Sequence, residues 1–304
     1  MKKIITSLLC AAMLMSLAAC GGSDKPAPTD SAPSAAPTQS VTEAPTQPPV
    51  TQTGMEKTVL VDDDKVTFAI TQVESNTHMG MQLQVQCVNK TDRVLMFSWD
   101  MVSVCGFMYD PFWAEEVAAG KTANSTVYLD TYELEQMGVE SVDEITFTLR
   151  ITDSENWMEQ PLVEDVCTVY PTGLTAQTLR LPDRAPTDGQ VVIADNENLR
   201  FVIEWADDSS ASTYPVYVYM ENRTDRNLMF SWDMVSVDGF MVDPFWTVCV
   251  SAGKKACSEV TFHRSELERN GIEHVSQIEF TLMVSDYDDW EADYLLEETF
   301  TYNP

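Results

Sequence analysis

Histidine is the side chain best suited to general-base catalysis or zinc binding near neutral pH, and this chain has three of them. The chain also contains one unit twice, each residue of the first copy being matched by a residue 133 positions further on. No histidine aligns with a histidine in the other copy: His78 aligns with Ala211, His263 with Asp130 and His274 with Ser141. No HExxH, GxSxG, P-loop or dinucleotide-binding glycine pattern follows the N-terminal segment. We therefore expect no catalysis, no cofactor and no metal site.

The cysteines, like the histidines, are not shared between the two copies. Of the seven, five lie in the repeated part of the chain, and none aligns with a cysteine in the other copy, so no disulfide belongs to the shared framework. Cys87 and Cys167 fall on the inward phase of predicted strands, and we expect both in the core. Cys105 lies at a predicted turn, where we expect an exposed thiol. Cys249 and Cys257 flank another turn, and they either pair or stay reduced.

Aromatic residues are the strongest indication of a binding site. Six of the seven tryptophans form three aligned pairs: Trp99 with Trp232, Trp113 with Trp246, and Trp157 with Trp290. The first pair continues an inward phase and is expected in the core. The second pair closes an Asp-Pro-Phe-Trp segment that begins at Asp110 or Asp243. Such a ring, near a sheet edge and beside a carboxylate, either stacks on a sugar or anchors a peptide, or else it seals the core. Asp110, Trp113, Asp243 and Trp246 therefore form the candidate ligand surface.

The charge of the chain limits its partners. There are 48 acidic and 18 basic residues, for a formal net charge of −30. This imbalance opposes nucleic-acid binding and flat docking on anionic lipid. The acidic clusters at residues 62–64, 207–208 and 286–289 lack the spacing of a calcium-binding loop. Solvated loop charge explains them, with a weak calcium-dependent adhesion or sensor module as the alternative.

Two long repeats position these histidines, cysteines and tryptophans. Residues 89–113 and 222–246 differ at only a few positions, and about 40 of the 69 positions in 89–157 match their partners. A unit this long indicates two tandem domains rather than a solenoid. Apolar and polar residues alternate strictly in the first copy, as in half-buried strands. The alternating segments are 66–70, 81–87, 95–101 and 145–151.

Turn signals complete the prediction of the fold. Asp238-Gly239 lies between two apolar segments and predicts a two-residue hairpin turn, and Cys105-Gly106 occupies the same place in the first repeat. Residues 131–137 and 265–270 each begin with a hydroxyl residue and precede a glycine, which predicts one short helix per repeat. With seven or eight strands in each repeat, the pattern predicts an all-β chain of two tandem immunoglobulin-like β-sandwiches.

The N-terminus carries an export signal. Residues 1–19 combine two lysines, an apolar segment and small residues, as a signal peptide does. Its end, Leu17-Ala18-Ala19-Cys20, resembles the lipobox of bacterial lipoproteins, which implies that Cys20 is lipidated. Residues 20–57 are rich in Pro, Ser and Thr with few large apolar residues, so we expect a disordered stalk. The membrane partner is therefore reached through the lipid on Cys20.

The remaining domain organisation follows from the repeat. We expect repeat 1 at 58–171, a linker at 172–190 and repeat 2 at 191–304. The linker contains prolines and a glycine, which predicts a semi-stiff connection between domains placed end to end with some hinge freedom. Residues 178–181 either add a strand to one domain or remain irregular.

The lipobox, the stalk and the repeated N-[KR]-T-D-R-x-L-M-F-S-W-D-M-V-S-V-x-G-F-M-x-D-P-F-W signature together resemble uncharacterised lipoproteins of Gram-positive anaerobes with tandem immunoglobulin-like domains. The resemblance implies the fold and the cellular location, but it implies no activity and no functional residues. We expect a lipid-anchored, non-catalytic binding or scaffolding module on the extracytoplasmic face of the cell membrane. Its partner is a protein or a glycan, and a glycan-binding module that uses Trp113 and Trp246 is the alternative. The sequence leaves the oligomeric state open.

Overall fold

The structure, a computed structural model, describes residues 51–52, 55–77, 80–156, 158–181 and 184–304. The signal peptide, Cys20, most of the stalk, His78 and Trp157 lie outside the described residues. The described part is an all-β chain with one short helix in each repeat. The predicted class of two tandem immunoglobulin-like β-sandwich domains is confirmed. The expected domain boundaries stay a prediction.

The first repeat contains most of the strands of two facing sheets and helix α1. Its elements are β1 (Thr51–Gln52), β2 (Thr58–Asp62), β3 (Val66–Thr77), β4 (Gly80–Asn89), β5 (Leu95–Val104), β6 (Phe107–Met108), β7 (Ala114–Val117), β8 (Thr122–Leu129), α1 (Thr131–Gln136), β9 (Ile145–Asp153) and β10 (Val163–Val169). One sheet has the order β1-β3-β4-β8, with β2 also paired to β3. The other sheet contains β10, β9 and β5, and the short strands β6 and β7 pair with β5.

The second repeat reproduces this arrangement. Its elements are β11 (Val191–Asp195), β12 (Leu199–Ala206), β13 (Thr213–Asn222), β14 (Leu228–Val237), β15 (Phe240–Met241), β16 (Thr247–Val250), β17 (Lys255–His263), α2 (Arg264–Arg269), β18 (Ile278–Asp286) and β19 (Leu296–Tyr302). One sheet has the order β11-β12-β13-β17, and the other has the order β15-β14-β18-β19, with β16 paired to β14. The two-residue strands β1, β6 and β15 raise the count above the seven or eight strands predicted for each repeat. Strand β1 pairs with β3 although it lies in residues 20–57, where the sequence predicts a disordered stalk.

The alternation of the sequence forms the core as predicted. In β4 every second residue, including Cys87, is buried, while the residues between are only partly covered. In β18 the inward set runs from Ile278 to Val284 in the same way. Each repeat encloses one hydrophobic core between its two sheets, and Trp99 and Trp232 lie in those cores as expected. Cys167 is also buried, as predicted.

A β-bulge interrupts the alternation in the same strand of both repeats. Met101 and Met234 have φ angles of 51° and 50°, and the register with the neighbouring strand shifts there. A bulge adds one residue to one strand and reverses which face the following residues occupy. The alternation predicts Met101 inward, but the bulge leaves it half-buried and leaves Met234 exposed. The predicted assignment of residues to the buried and exposed faces of this strand is therefore wrong beyond Trp99.

The hairpin turns that follow the bulges are as predicted. Cys105-Gly106 and Asp238-Gly239 both have positive φ at the two central positions, near 49° and then 84–85°. This geometry matches the right-handed twist of the flanking strands. Cys105 is buried, however, and its amide and thiol contact residues 141–144, so the predicted exposed thiol is wrong.

The helices start differently from the prediction. Helix α1 is capped by a carboxylate, because Asp130 Oδ1 accepts a hydrogen bond from the Tyr132 amide at 2.9 Å. Helix α2 follows His263, which makes no side-chain capping bond. The predicted hydroxyl caps are therefore wrong. Gly138 and Gly271 follow the helices in the left-handed conformation, as expected.

The first half of the repeated signature holds strands together. The buried Asn89 amide nitrogen donates to the carbonyls of Arg93 at 2.7 Å and Val117 at 2.9 Å, and its oxygen accepts from Thr91. Arg93 pairs with the buried Asp153 at 2.8 Å. The second repeat repeats every one of these contacts around Asn222. The N-x-T-x-R part of the signature is therefore structural.

Candidate binding surfaces

The second half of the signature contains the candidate ligand residues, and Trp113 and Trp246 are buried. Each ring is only 9% exposed and packs on the core, 5.7 Å from Trp99 in one repeat and 5.9 Å from Trp232 in the other. The indole nitrogens donate to serine hydroxyls, Trp113 to Ser125 at 3.1 Å and Trp246 to its counterpart at 3.0 Å. Both rings cover the end of the core, and Trp246 also lines a cleft at the surface of repeat 2.

The carboxylates of these segments shape a turn. Asp110 and Asp243 are exposed, and each accepts a hydrogen bond from the amide two residues later at 2.8 Å. This bond closes an Asx-turn, a local use that competes with ligand binding by the same oxygen. The turn places the phenylalanine between Asp-Pro and Trp in the left-handed region.

The exposed aromatic ring of each segment is therefore phenylalanine. Phe112 and Phe245 are 94% and 93% exposed, with φ angles of 50° and 48°. Bulky residues rarely adopt this conformation, because their Cβ crowds the backbone. Sequence patterns do not identify this ring, since strand alternation carries no information about an Asx-turn, and the assignment of Asp110, Trp113, Asp243 and Trp246 to a ligand surface stays a prediction.

In repeat 2 several apolar side chains of this region are exposed. Phe240 and Met241 of the hairpin are 47% and 63% exposed, and Met234 and Phe245 are exposed as well. A cleft of about 530 Å³ runs between Met234, Met241 and Phe245. Its rim carries three carboxylates, from Asp233, Asp243 and Glu266. We call Met234, Phe240, Met241 and Phe245 the repeat-2 hairpin surface.

The same hairpin in repeat 1 is covered by repeat 2. Phe107, the counterpart of Phe240, is 1% exposed. The amide of Lys255 donates to the Gly106 carbonyl at 2.9 Å, which pairs β6 with β17 and joins a sheet of each repeat into one. The Lys255 ammonium lies 5.7 Å from the centre of the Phe107 ring, and Tyr219 contacts the same ring at 6.5 Å. Met108 packs against the second core.

The surface of repeat 2 that receives this hairpin differs from its counterpart in repeat 1. It is lined by Tyr219, Val248, Cys249 and Cys257. The aligned residues of repeat 1 are polar or charged: Gln86, Glu115, Glu116 and Asn124. Cys249 and Cys257 are free thiols, so the alternative of a disulfide between them is wrong. The strand β17 side of repeat 2 is adapted to bind a hairpin, whereas the β8 side of repeat 1 is not.

The linker also connects the repeats. Arg184 donates to both oxygens of the buried Glu204, at 2.8 and 2.9 Å, and to the Gln136 carbonyl of repeat 1 at 3.3 Å. Its guanidinium lies over the Tyr219 ring at 5.6 Å. Residues 178–181 form a turn and irregular backbone rather than a strand. The hydrogen bonds of Arg184 and the β6–β17 pairing therefore both connect the two repeats, where the sequence predicts a hinge.

A second cleft lies where these contacts meet, and the sequence interpretation missed it. Trp205 and Tyr217 stack at 4.6 Å on the surface of repeat 2, and Trp205 is 42% exposed. The cleft has a volume of about 490 Å³, and Glu133 and Glu259 also line it. Desolvation, followed by the nearby Asp130, raises the pKa of Glu133. Trp205 is the tryptophan without an aligned partner, because the first repeat has glutamine there, and that mismatch is the signal that could have found it.

The two histidines that the structure describes lie at the surface. His263 is exposed, and His274 Nδ1 lies 3.2 Å from an Asp208 oxygen at the surface. Among the residues that the structure describes, no three His, Cys, Asp or Glu side chains are grouped to hold a metal ion.

Comparisons with known proteins add no family. No protein-family model matches the sequence. No curated protein matches it either. Within the described ranges, no helix has the length and apolar character needed to cross a membrane.

Proposed function

We propose that this chain is a non-catalytic binding or scaffolding module, held at the extracytoplasmic face of the cell membrane by a lipid on Cys20. The export signal and the Leu-Ala-Ala-Cys sequence support the anchor. Two or more acyl chains hold a protein stably at a bilayer, where a single chain is marginal. The stalk of residues 20–57 then carries the domains away from the membrane.

One observation carries the binding role. Phe107 of repeat 1 is buried in a domain contact, whereas its counterpart Phe240 and the following Met241 are exposed in repeat 2. Isolated exposed apolar residues are common, but Met234, Met241 and Phe245 line one cleft, and a cluster of exposed apolar side chains with a polar rim marks an interaction site. The rim here is acidic, which favours a basic partner surface.

The anchor is tested by metabolic labelling of the full chain with an alkyne fatty acid. The wild-type chain should incorporate label and sediment with membranes. The Cys20→Ala variant should do neither. Equal labelling of both chains would exclude Cys20 as the attachment site.

The binding role is tested with a soluble fragment of residues 49–304, which form one compact unit. We expect the labelled fragment to bind intact cells that lack the endogenous protein, and expect Phe240→Ser with Phe245→Ser to reduce binding at least tenfold. A matched control removes exposed apolar side chains elsewhere, at Met158 and Val166. Equal loss in the control would show non-specific adhesion instead.

A glycan is the second candidate ligand, and the Trp205–Tyr217 cleft favours it. Exposed aromatic faces beside carboxylates suit the apolar and hydroxylated faces of a sugar. Saturation-transfer NMR with oligosaccharides should give signals that Trp205→Ala abolishes. The control, Trp290→Ala, removes another exposed tryptophan and should leave the signals intact. Loss in both variants, or in neither, would contradict this site.

A further inference from the structure

We infer that the repeat-2 hairpin surface binds a protein domain that presents an exposed β-strand edge with a lysine, as β17 presents Lys255 to repeat 1. The inference rests on the proposed binding function and names the class of partner. It follows from the duplication, because the chain itself contains one hairpin in its bound state and one in its free state.

The two hairpins are prepared for the same contact. Cys105 and Asp238 both have φ of 49°, and the following glycines have φ of 84° and 85°. Both continue with Phe-Met, and both two-residue strands pair with the preceding strand in equivalent register. Apart from the residue before the glycine, the free hairpin therefore offers the same carbonyl, ring and thioether as the engaged one.

The engaged hairpin defines what a partner must supply. Repeat 2 provides a backbone amide for the Gly106 carbonyl, an ammonium over the Phe107 ring and an apolar floor that includes Tyr219. An ion pair, Lys254 with Glu144 at 3.3 Å, lies at the margin. Backbone pairing provides affinity, and the ring and cation provide specificity.

Charge adds a requirement for the partner of the free hairpin. Asp233, Asp243 and Glu266 surround its cleft, so cations on the partner edge are favoured beyond the lysine over the ring. Gln277 replaces Glu144 at the margin, so the ion pair with Lys254 has no counterpart there. The partner edge is thus expected to carry its additional basic residues on the cleft side.

A second intact copy of this chain does not meet these requirements. The receiving surface of repeat 2 is already occupied by its own repeat 1. The corresponding edge of repeat 1 has Thr122 in place of Lys255, and Gln86 and Glu115 in place of Tyr219 and Val248. The occupant is therefore a domain of another protein.

The test changes the β8 edge of repeat 1 so that it can bind the free hairpin of another molecule. Three substitutions at partly or fully exposed positions, Gln86→Tyr, Glu115→Val and Thr122→Lys, copy the receiving residues of repeat 2 onto β4, β7 and β8. Such a head-to-tail contact does not close, so it should generate chains of molecules. Sedimentation velocity of residues 49–304 should show the weight-average mass rising up to about 1 mM, the effective concentration typical of tethered contacts. Adding Phe240→Asp should restore the monomer.

The outcomes separate this inference from the proposed function. A graft variant with native circular dichroism that stays monomeric overturns the partner class, while cell binding through Phe240 and Phe245 would still support a binding role. Wild-type association that Phe240→Asp abolishes also overturns it, because an intact second copy would then suffice. If the graft does not fold, Phe107→Asp supplies the same measurement, since it frees the β17 edge for the Phe240 hairpin of another molecule.

Discussion

Individual residues in this chain adopt costly conformations at the same places in both repeats. Phe112 and Phe245 occupy the left-handed region with almost fully exposed rings, so packing within the domain does not compensate for the strain. Strained, exposed residues of this kind are drawn from sites of interaction rather than from the framework. The duplicated strain therefore supports the assignment of the hairpin surface to binding.

The strain at Phe245 can be measured by comparing two substitutions. Phe245→Gly and Phe245→Ala both remove an exposed ring. Only the glycine variant also lacks the Cβ atom, which clashes with the backbone at positive φ. We expect the glycine variant to be more stable than the alanine variant by about 1 kcal/mol. Urea unfolding of residues 49–304 checks the difference. Equal midpoints would show that the loop is not left-handed in solution.

The thiols provide a second prediction at this scale. Burial raises the pKa of Cys87 and Cys249 to about 12 and that of Cys257 to about 11, and it raises the pKa values of Cys105 and Cys167 as well. Because a raised pKa keeps a thiol protonated, all five should react slowly with Ellman's reagent at pH 8 and rapidly in denaturant. Fast reaction of one thiol in the native fragment would contradict its burial, and Cys105 is the most informative case.

Strands and turns are the elements that sequence patterns predict well here. Alternation in β4 and β18 identifies the buried face, and the Asp238-Gly239 dipeptide identifies the hairpin, because each signal is local. Met101 shows where local patterns stop, since a bulge inverts the phase without any change in composition. Trp113 shows the same limit, because its burial depends on the Asx-turn and on rings from other strands.

The buried asparagine of the signature, Asn89 in repeat 1, should contribute to stability because it hydrogen-bonds to the strand β7 carbonyl of Val117. Asn89→Ala leaves the buried carbonyl of Val117 without its side-chain donor, at a cost of about 1–3 kcal/mol for each buried group left unsatisfied. Asn222→Ala should have the same effect in repeat 2. Asn124→Ala, at an exposed position, is the control. A urea midpoint unchanged by Asn89→Ala would show that water replaces the side chain.

At the scale of the whole molecule, the two repeats have diverged into a donor and a receiver. Their hairpins are nearly identical, whereas the receiving side carries polar residues in repeat 1 and Tyr219, Val248 and Cys257 in repeat 2. The duplication predicts two similar domains but not which hairpin is covered, because that depends on contacts between strands far apart in sequence. One engaged and one free copy of the motif is the consequence.

Substitution of Arg184 tests whether its contacts with Glu204 and Gln136 hold the two repeats together. The Glu204 side chain is 4% exposed and accepts three hydrogen bonds from the Arg184 guanidinium, so Arg184→Ala leaves a buried carboxylate without its cation. Breaking such a pair costs about 3–5 kcal/mol, and making Glu204→Gln in addition should recover part of it, because the buried charge is then removed. Thermal unfolding of residues 49–304 measures both effects, and small-angle scattering should show the single variant extended relative to the wild type. A single variant with wild-type stability and dimensions would mean that β6 and β17 hold the repeats together without the linker.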